Sequence, residues 1–169
     1  MKFDDIPQMT QAQYQVNVPW DYLEEHLKRY EHSYHFDMNP DFQRDFVWNT
    51  QQKIEYVEYI LKGGISARDL FMNHPNWMSS FEGDMVIVDG KQRIQAVLDF
   101  LNDKIPAFGT LFSEFEDRLR FSGPDFVFHV NNLKTKKEVH RWYIDLNTGG
   151  TAHTNEEITK VEKLIKEEK

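Results

Sequence analysis

The chain has 169 residues, a formal net charge of −8, a 40% hydrophobic content and 13 Phe, 7 Tyr and 4 Trp. That is enough length and apolar bulk for one domain with a real core, and the acidic balance works against nonspecific wrapping of nucleic acid, which relies on clustered Lys and Arg. No apolar run approaches the roughly 20 residues that span a bilayer, the start Met1-Lys2-Phe3-Asp4-Asp5 lacks the regions of a signal peptide, and cysteine is absent, so a cytoplasmic location with no membrane partner is expected.

Residues 1–18 are polar and weakly patterned and read as an extended arm. Pro19 then opens a short helix carrying Trp20, Leu23 and Leu27, since proline suits the first helical position. Residues 31–48 read as strand and loop, with aromatic bulk from Tyr34, Phe36, Phe42, Phe46 and Trp48. Inside this stretch lies Asn39-Pro40-Asp41-Phe42-Gln43-Arg44. An arginine among apolar residues suits bidentate capture of a phosphate or carboxylate; it also suits stacking on Phe46 or Trp48 as cation–π support, and both readings stand.

Thr50 is expected to cap a helix whose Ile54, Val57, Ile60 and Leu61 share one face, ended by Gly63-Gly64. A short strand over Leu70–Met72 and a loop around His74-Pro75 follow. The segment Met85 to Arg93 carries the most information. An apolar strand (Met85 to Val88) stops at Asp89-Gly90, and Ile94, Val97, Leu98 and Leu101 then recur with helical spacing over 91–102. Backbone N–H groups and the helix dipole favour an anion at such a start. Gly90 would let a ligand approach the backbone. Arg93 opposes the dipole at a cost of about 0.3–1 kcal/mol, which makes sense if it faces a bound phosphate or a partner carboxylate. Against this, Asp-Gly is an ordinary turn and Asp an ordinary N-cap.

Pro106 and Gly109 punctuate the next loop, and Ser113-x-x-Glu116 reads as a capping box for a short helix. Phe126 to Val130 is a strand candidate with Phe126, Phe128 and Val130 on one side. Thr135-x-x-Glu138 is a second box, opening a helix with Val139, Trp142, Tyr143 and Leu146 inward; Lys134, Lys136, Lys137 and Arg141 form its solvated face. Directly after comes Asn147-Thr148-Gly149-Gly150-Thr151. Two glycines between amide and hydroxyl residues can expose N–H groups as an anion-binding nest, or simply end the helix and turn. Thr154-x-x-Glu157 opens a last helix with Ile158, Val161, Leu164 and Ile165.

The expected class is α+β: a single domain, with a small mixed sheet covered by helices. His32 and His35 lie on no convincing helix, so no zinc site is expected. There is no Walker-type loop and no serine nucleophile elbow. His129 reads as a strand residue with a satisfied ring.

The three constellations, in this order, resemble the N-terminal module of GmrSD-type modification-dependent restriction enzymes. That family pairs an aromatic-Gln-Arg segment and a following Trp, here Phe42-Gln43-Arg44 and Trp48, with Asp-Gly-Gln-Gln-Arg after a hydrophobic strand, here Asp89-Gly90-Lys91-Gln92-Arg93, and with Asn-x-Gly-Gly-Thr near a helix end, here Asn147 to Thr151. Lys91 departs from the pattern. It adds positive charge where the family has an amide, and either strengthens phosphate binding or disturbs a hydrogen bond. The resemblance implies a ParB/sulfiredoxin-like fold and a nucleoside triphosphate bound with Mg2+ or another divalent ion, with hydrolysis as the attendant activity. Gln43 and Arg44 would contact phosphate or DNA backbone, Asp89 would hold the metal or orient water, and Gly90, Lys91, Gln92 and Arg93 would meet the phosphates. Asn147, Thr148, Gly149, Gly150 and Thr151 would close the pocket, with Asp89, Arg93 and Arg44 as the catalytic set. The family's full-length enzymes carry a C-terminal His-Asn-His-type nuclease domain that nothing here supplies. The expectation is therefore a stand-alone member in phage–host conflict over DNA modification. Two alternatives remain at this point. One is a DNA nuclease or nickase on the same pocket. The other is a non-catalytic adaptor that meets a nuclease or other protein in trans through exposed aromatics such as Trp77 or Phe81.

Overall fold

The computed structural model describes residues 12–117, 123–147 and 155–167. The class is α+β, in one domain. In chain order the elements are β1 (Tyr14–Pro19), α1 (Leu23–Tyr34), α2 (Thr50–Leu61), β2 (Asp69–Asn73), β3 (Val86–Asp89), α3 (Lys91–Leu101), β4 (Asp125–Asn131), α4 (Lys136–Asn147) and α5 (Asn155–Glu167), with 3-10 turns at Trp20–Tyr22 and Phe112–Glu114. The sheet order is β1-β4-β2-β3. β1 and β3 run antiparallel to their neighbours, while β4 and β2 are parallel, so the sheet is mixed. Among the described residues no helix is long and apolar enough to cross a membrane.

Strand alternation sorts the core into two layers. Val18, Phe126, Phe128, Val130, Leu70, Met72 and Ile87 face helices α1, α2 and α3, where Leu23, Leu27, Tyr30, Val57, Ile60, Ile94, Val97 and Phe100 complete the larger cluster. Val88 and Phe71 face the other way, toward Val139, Trp142 and Tyr143 of α4 and Val161 and Ile165 of α5. Each of these large apolar side chains contributes about 1.5–3 kcal/mol when fully buried. A buried ion pair ties α2 to α3: Lys53 Nζ donates to Asp99 Oδ2 at 2.7 Å, and Gln95 Nε2 donates to Oδ1 at 2.8 Å.

Several expectations shift. Tyr14–Pro19, the end of the expected arm together with the proline read as opening a helix, is an edge strand paired along its length with β4; residues 1–11 lie outside the description. Residues 31–34, expected as strand or loop, are the last turn of α1, which ends at His35 in the left-handed region. The cap of α2 is Asn49, not Thr50. Its side chain accepts from the Gln52 N–H, and the Gln52 side chain accepts from the Asn49 N–H, both at 2.9 Å. The Ser113–Glu116 box is displaced: Glu114 accepts from the Leu111 N–H, and Ser113 N–H donates to Asp103. The Thr135–Glu138 box forms as read, each residue bonding the other's backbone N–H, whereas Thr154 lies outside the described residues. Trp77, proposed as an exposed partner contact, is buried against Tyr14, Tyr30, Tyr34 and Phe81; Phe81 is exposed, as expected. His129 fits its reading, with Nε2 2.6 Å from Asp69 Oδ1 and its ring stacked on Phe71.

Candidate functional site

The site is built where β3 turns into α3. Asp89 is the last residue of β3, opposite Phe71 of β2. Gly90 is the N-cap of α3, with φ +108° and no side-chain cap. Its glycine is required twice over: the φ is one that L side chains rarely adopt, and an added Cβ would stand 2.3 Å from Leu70 Cδ2. Gly90 was read as an opening for a ligand, but the contact that demands it is with buried Leu70.

A hollow of about 340 Å³ lies at this helix start, lined by Gln43, Arg44, Trp48, Ala67, residues 89–93, Tyr143, Leu146 and Asn147. The first two sequence constellations and the head of the third therefore meet in one place. Two larger hollows, about 500 Å³ beside Phe108 and Phe112 and about 700 Å³ beside Phe42 and His140, contain none of Arg44, Asp89 or Arg93. Thr148, Gly149, Gly150 and Thr151 lie outside the described residues. Asn147 sits in the last turn of α4, where its Nδ2 donates to the Tyr143 carbonyl at 2.6 Å.

The polar residues divide into two sets. One set holds the 43–48 loop to the strand and helix. Gln43 Nε2 donates to the carbonyls of Val88 at 2.6 Å and Ile87 at 3.3 Å. Gln92 Nε2 donates to the Asp45 carbonyl at 2.9 Å, and its Oε1 accepts from the N–H groups of Val47 and Trp48 at 3.1 and 3.3 Å. Lys91 Nζ donates to the Arg44 carbonyl at 3.1 Å and stands 4.5 Å from the Phe46 ring centre. Lys91 thus sets a cation against the Phe46 ring, a pairing the sequence did not suggest. Lys91 is 4% exposed, and burial pushes its ammonium below the usual lysine value, against opposing pulls from Asp45 and Asp37.

The second set is charged and faces the hollow. Arg93 Nη2 donates to Asp89 Oδ2, one helical turn apart, so the cation in the first turn of α3 does face a partner carboxylate. Arg93 is mostly buried, and its Nε has no hydrogen-bond partner. A buried guanidinium nitrogen without a partner is costly. Arg44 lines the same hollow. Tyr143, Leu146 and Ala67, which also line the hollow, were not read as part of a site from the sequence. Ala67 has φ +59° and its carbonyl accepts from Tyr56 Oη at 2.8 Å, a long-range tie with no local signal.

Because Gln92 makes three bonds to the loop, Gln92→Ala is expected to lower stability by about 2–3 kcal/mol. Hydrogen exchange at the Val47 and Trp48 amides should accelerate with it. Unchanged protection there would show that the loop is held by other means.

No curated protein and no solved structure matches this chain. A family profile does: that of the GmrSD restriction endonuclease, N-terminal domain, over residues 23–126. The match takes in the Gln43-Arg44 loop, β3, the Asp89–Arg93 turn and α3, and stops before Asn147. With well over half of its residues matched around the same turn that gathers the charged groups, the chain belongs to the GmrSD restriction endonuclease N-terminal domain family.

Proposed function

We propose that the hollow at the start of α3 binds the phosphates of a nucleoside triphosphate, and that the chain acts as a magnesium-dependent nucleotide-binding module with hydrolysis as its activity. The observation that carries this reading is Arg93: a largely buried guanidinium, paired on one side with Asp89 and unpartnered at Nε, set in the uncapped first turn of a helix beside a second arginine. Two planar cations and a row of helix-start N–H groups suit the geometry of phosphate oxygens. They would act on the phosphates by binding them in place and by offsetting negative charge as it moves toward the leaving oxygen.

The donor set also fits the metal. Among the described residues no group of three or more His, Cys, Asp or Glu side chains could hold an ion. Mg2+ needs no such cage, because it commonly binds one or two carboxylates and takes its other ligands from phosphates and water. Asp89, about one-third exposed, is the carboxylate at hand. Magnesium would supply charge neutralisation on the phosphate oxygens, and Asp89 would hold it while Arg93 fixes the carboxylate's direction.

The family ties the chain to restriction endonuclease systems; nucleotide binding would be its contribution to one. Calorimetric titration with ATP, GTP and CTP tests this. With Mg2+ present at least one is expected to bind, and chelation of the metal should weaken it by roughly tenfold or more, the effect of leaving like charges unscreened in a confined site. Absence of heat with all three, in the presence of the metal, would reject the reading.

A further inference from the structure

We propose that Lys91 is a positioning residue: its ammonium fixes the Arg44 carbonyl, and through it the place at which the Arg44 guanidinium enters the hollow. This rests on the phosphate-binding reading of the hollow given above.

Among the described residues Lys91 is the only lysine that lines the hollow, and an ammonium there invites the view that it grips a phosphate itself. Its surroundings point elsewhere. The side chain is 4% exposed, its Nζ is 3.1 Å from the Arg44 carbonyl oxygen, and the Phe46 ring covers it at 4.5 Å. A buried ammonium is costly unless hydrogen-bonded, and these two partners supply that compensation. The carbonyl carbon is bonded directly to the Cα that bears the guanidinium arm. Fixing the carbonyl therefore restrains the place of that Cα and leaves only rotation about the Cα–C bond to set the direction of the arm. Gln43 anchors the residue before Arg44 to β3, and Gln92 anchors residues 45, 47 and 48 to α3. Lys91 acts on Arg44 itself. The loop is thus tied to the strand and helix from three consecutive directions, with the arginine at the middle tie.

Misplacing a charge-bearing group by about 1 Å can cost on the order of 100-fold, so losing the tie should show in affinity even with the guanidinium intact. Inorganic triphosphate with Mg2+ is the probe, which removes the base from the problem. Lys91→Met keeps the stem and removes the charge. It is expected to weaken binding about tenfold in the wild-type background and less than about twofold in an Arg44→Ala background, the mark of two residues acting as one. Phe46→Leu, on a half-exposed position, should weaken binding a few-fold in the same background-dependent way and guards against misfolding of the lysine variant. Equal losses in both backgrounds would mean that the ammonium acts on the phosphate directly, and no loss would mean that it has no part; either overturns the proposal. If the wild-type protein binds no triphosphate, the reading of the hollow fails, and the positioning claim is decided separately by the Arg44 Nε–H resonance in 15N spectra. That signal should lose its order in Lys91→Met, and an unchanged signal would refute the tie.

Discussion

Arg93→Ala is expected to abolish measurable nucleotide binding while the protein remains folded. The guanidinium makes charge-assisted bonds worth about 1.5–3 kcal/mol each. Its removal also takes away the group that directs the Asp89 carboxylate, which lines the same hollow. Loss of two such bonds, those of the guanidinium fork, amounts to about 3–6 kcal/mol, or more than 100-fold in affinity. The fold should survive, because the residue lies in the first turn of α3 and its partner is partly solvated, where an unpaired carboxylate is tolerated. Arg93→Lys separates charge from geometry: it keeps the cation and loses the fork, so it should recover only part of the binding. Titration of both variants beside a thermal melt makes the measurement. Wild-type affinity in Arg93→Ala would remove the site from this turn.

Gly90→Ala should be the most destabilising methyl group that can be added near the site. The left-handed conformation costs a non-glycine residue about 1–2 kcal/mol, and forcing a Cβ against Leu70 costs about 1–3 kcal/mol more. The contact is with a side-chain end, which in an open place would swing aside, but Leu70 is fully buried in the larger core cluster. A total of about 3 kcal/mol is expected, which for a chain of this size is a fall of roughly 6–12 °C in Tm. The two parts can be separated in urea unfolding. Adding Leu70→Ala should recover the steric part and leave the backbone part, so the double variant should cost less than the sum of the two singles. Strict additivity would show that the Leu70 contact is not what demands glycine.

The turn at Asp89-Gly90 was legible because two periodicities meet there, an apolar run and a helical face at Ile94, Val97, Leu98 and Leu101. The apolar faces of α2 and α4 were legible for the same reason. What could not be read was the direction of polar side chains. Gln43 and Gln92 lie in the two motifs as plausible phosphate ligands, and nothing local says that their amides meet the backbone of residues 45–48 and 87–88 instead; those partners are more than forty positions away. The last turn of α1 was hidden by its composition, Glu31-His32-Ser33-Tyr34, which has little intrinsic helix preference and is held by packing of Tyr30 and Tyr34 on Trp77. β1 is the reverse case. Tyr14, Val16 and Val18 alternate with Gln15 and Asn17 in a strand's period of two, a signal that a polar neighbourhood obscured. The displaced box at Ser113 shows how little separates competing acceptors three residues apart when only one turn of helix is at stake.

The placement of β4 between β1 and β2 bears on how the chain comes together during synthesis. β1 emerges first and must wait more than a hundred residues for the strand that pairs with it, while Arg44, Asp89 and Arg93 can already be near one another. The wall supplied by Tyr143 and Asn147 arrives later still. A nascent chain therefore carries its charged turn exposed before the last helices enclose it, and such late, long-range closure is slow and leaves unpaired strand edges open to association.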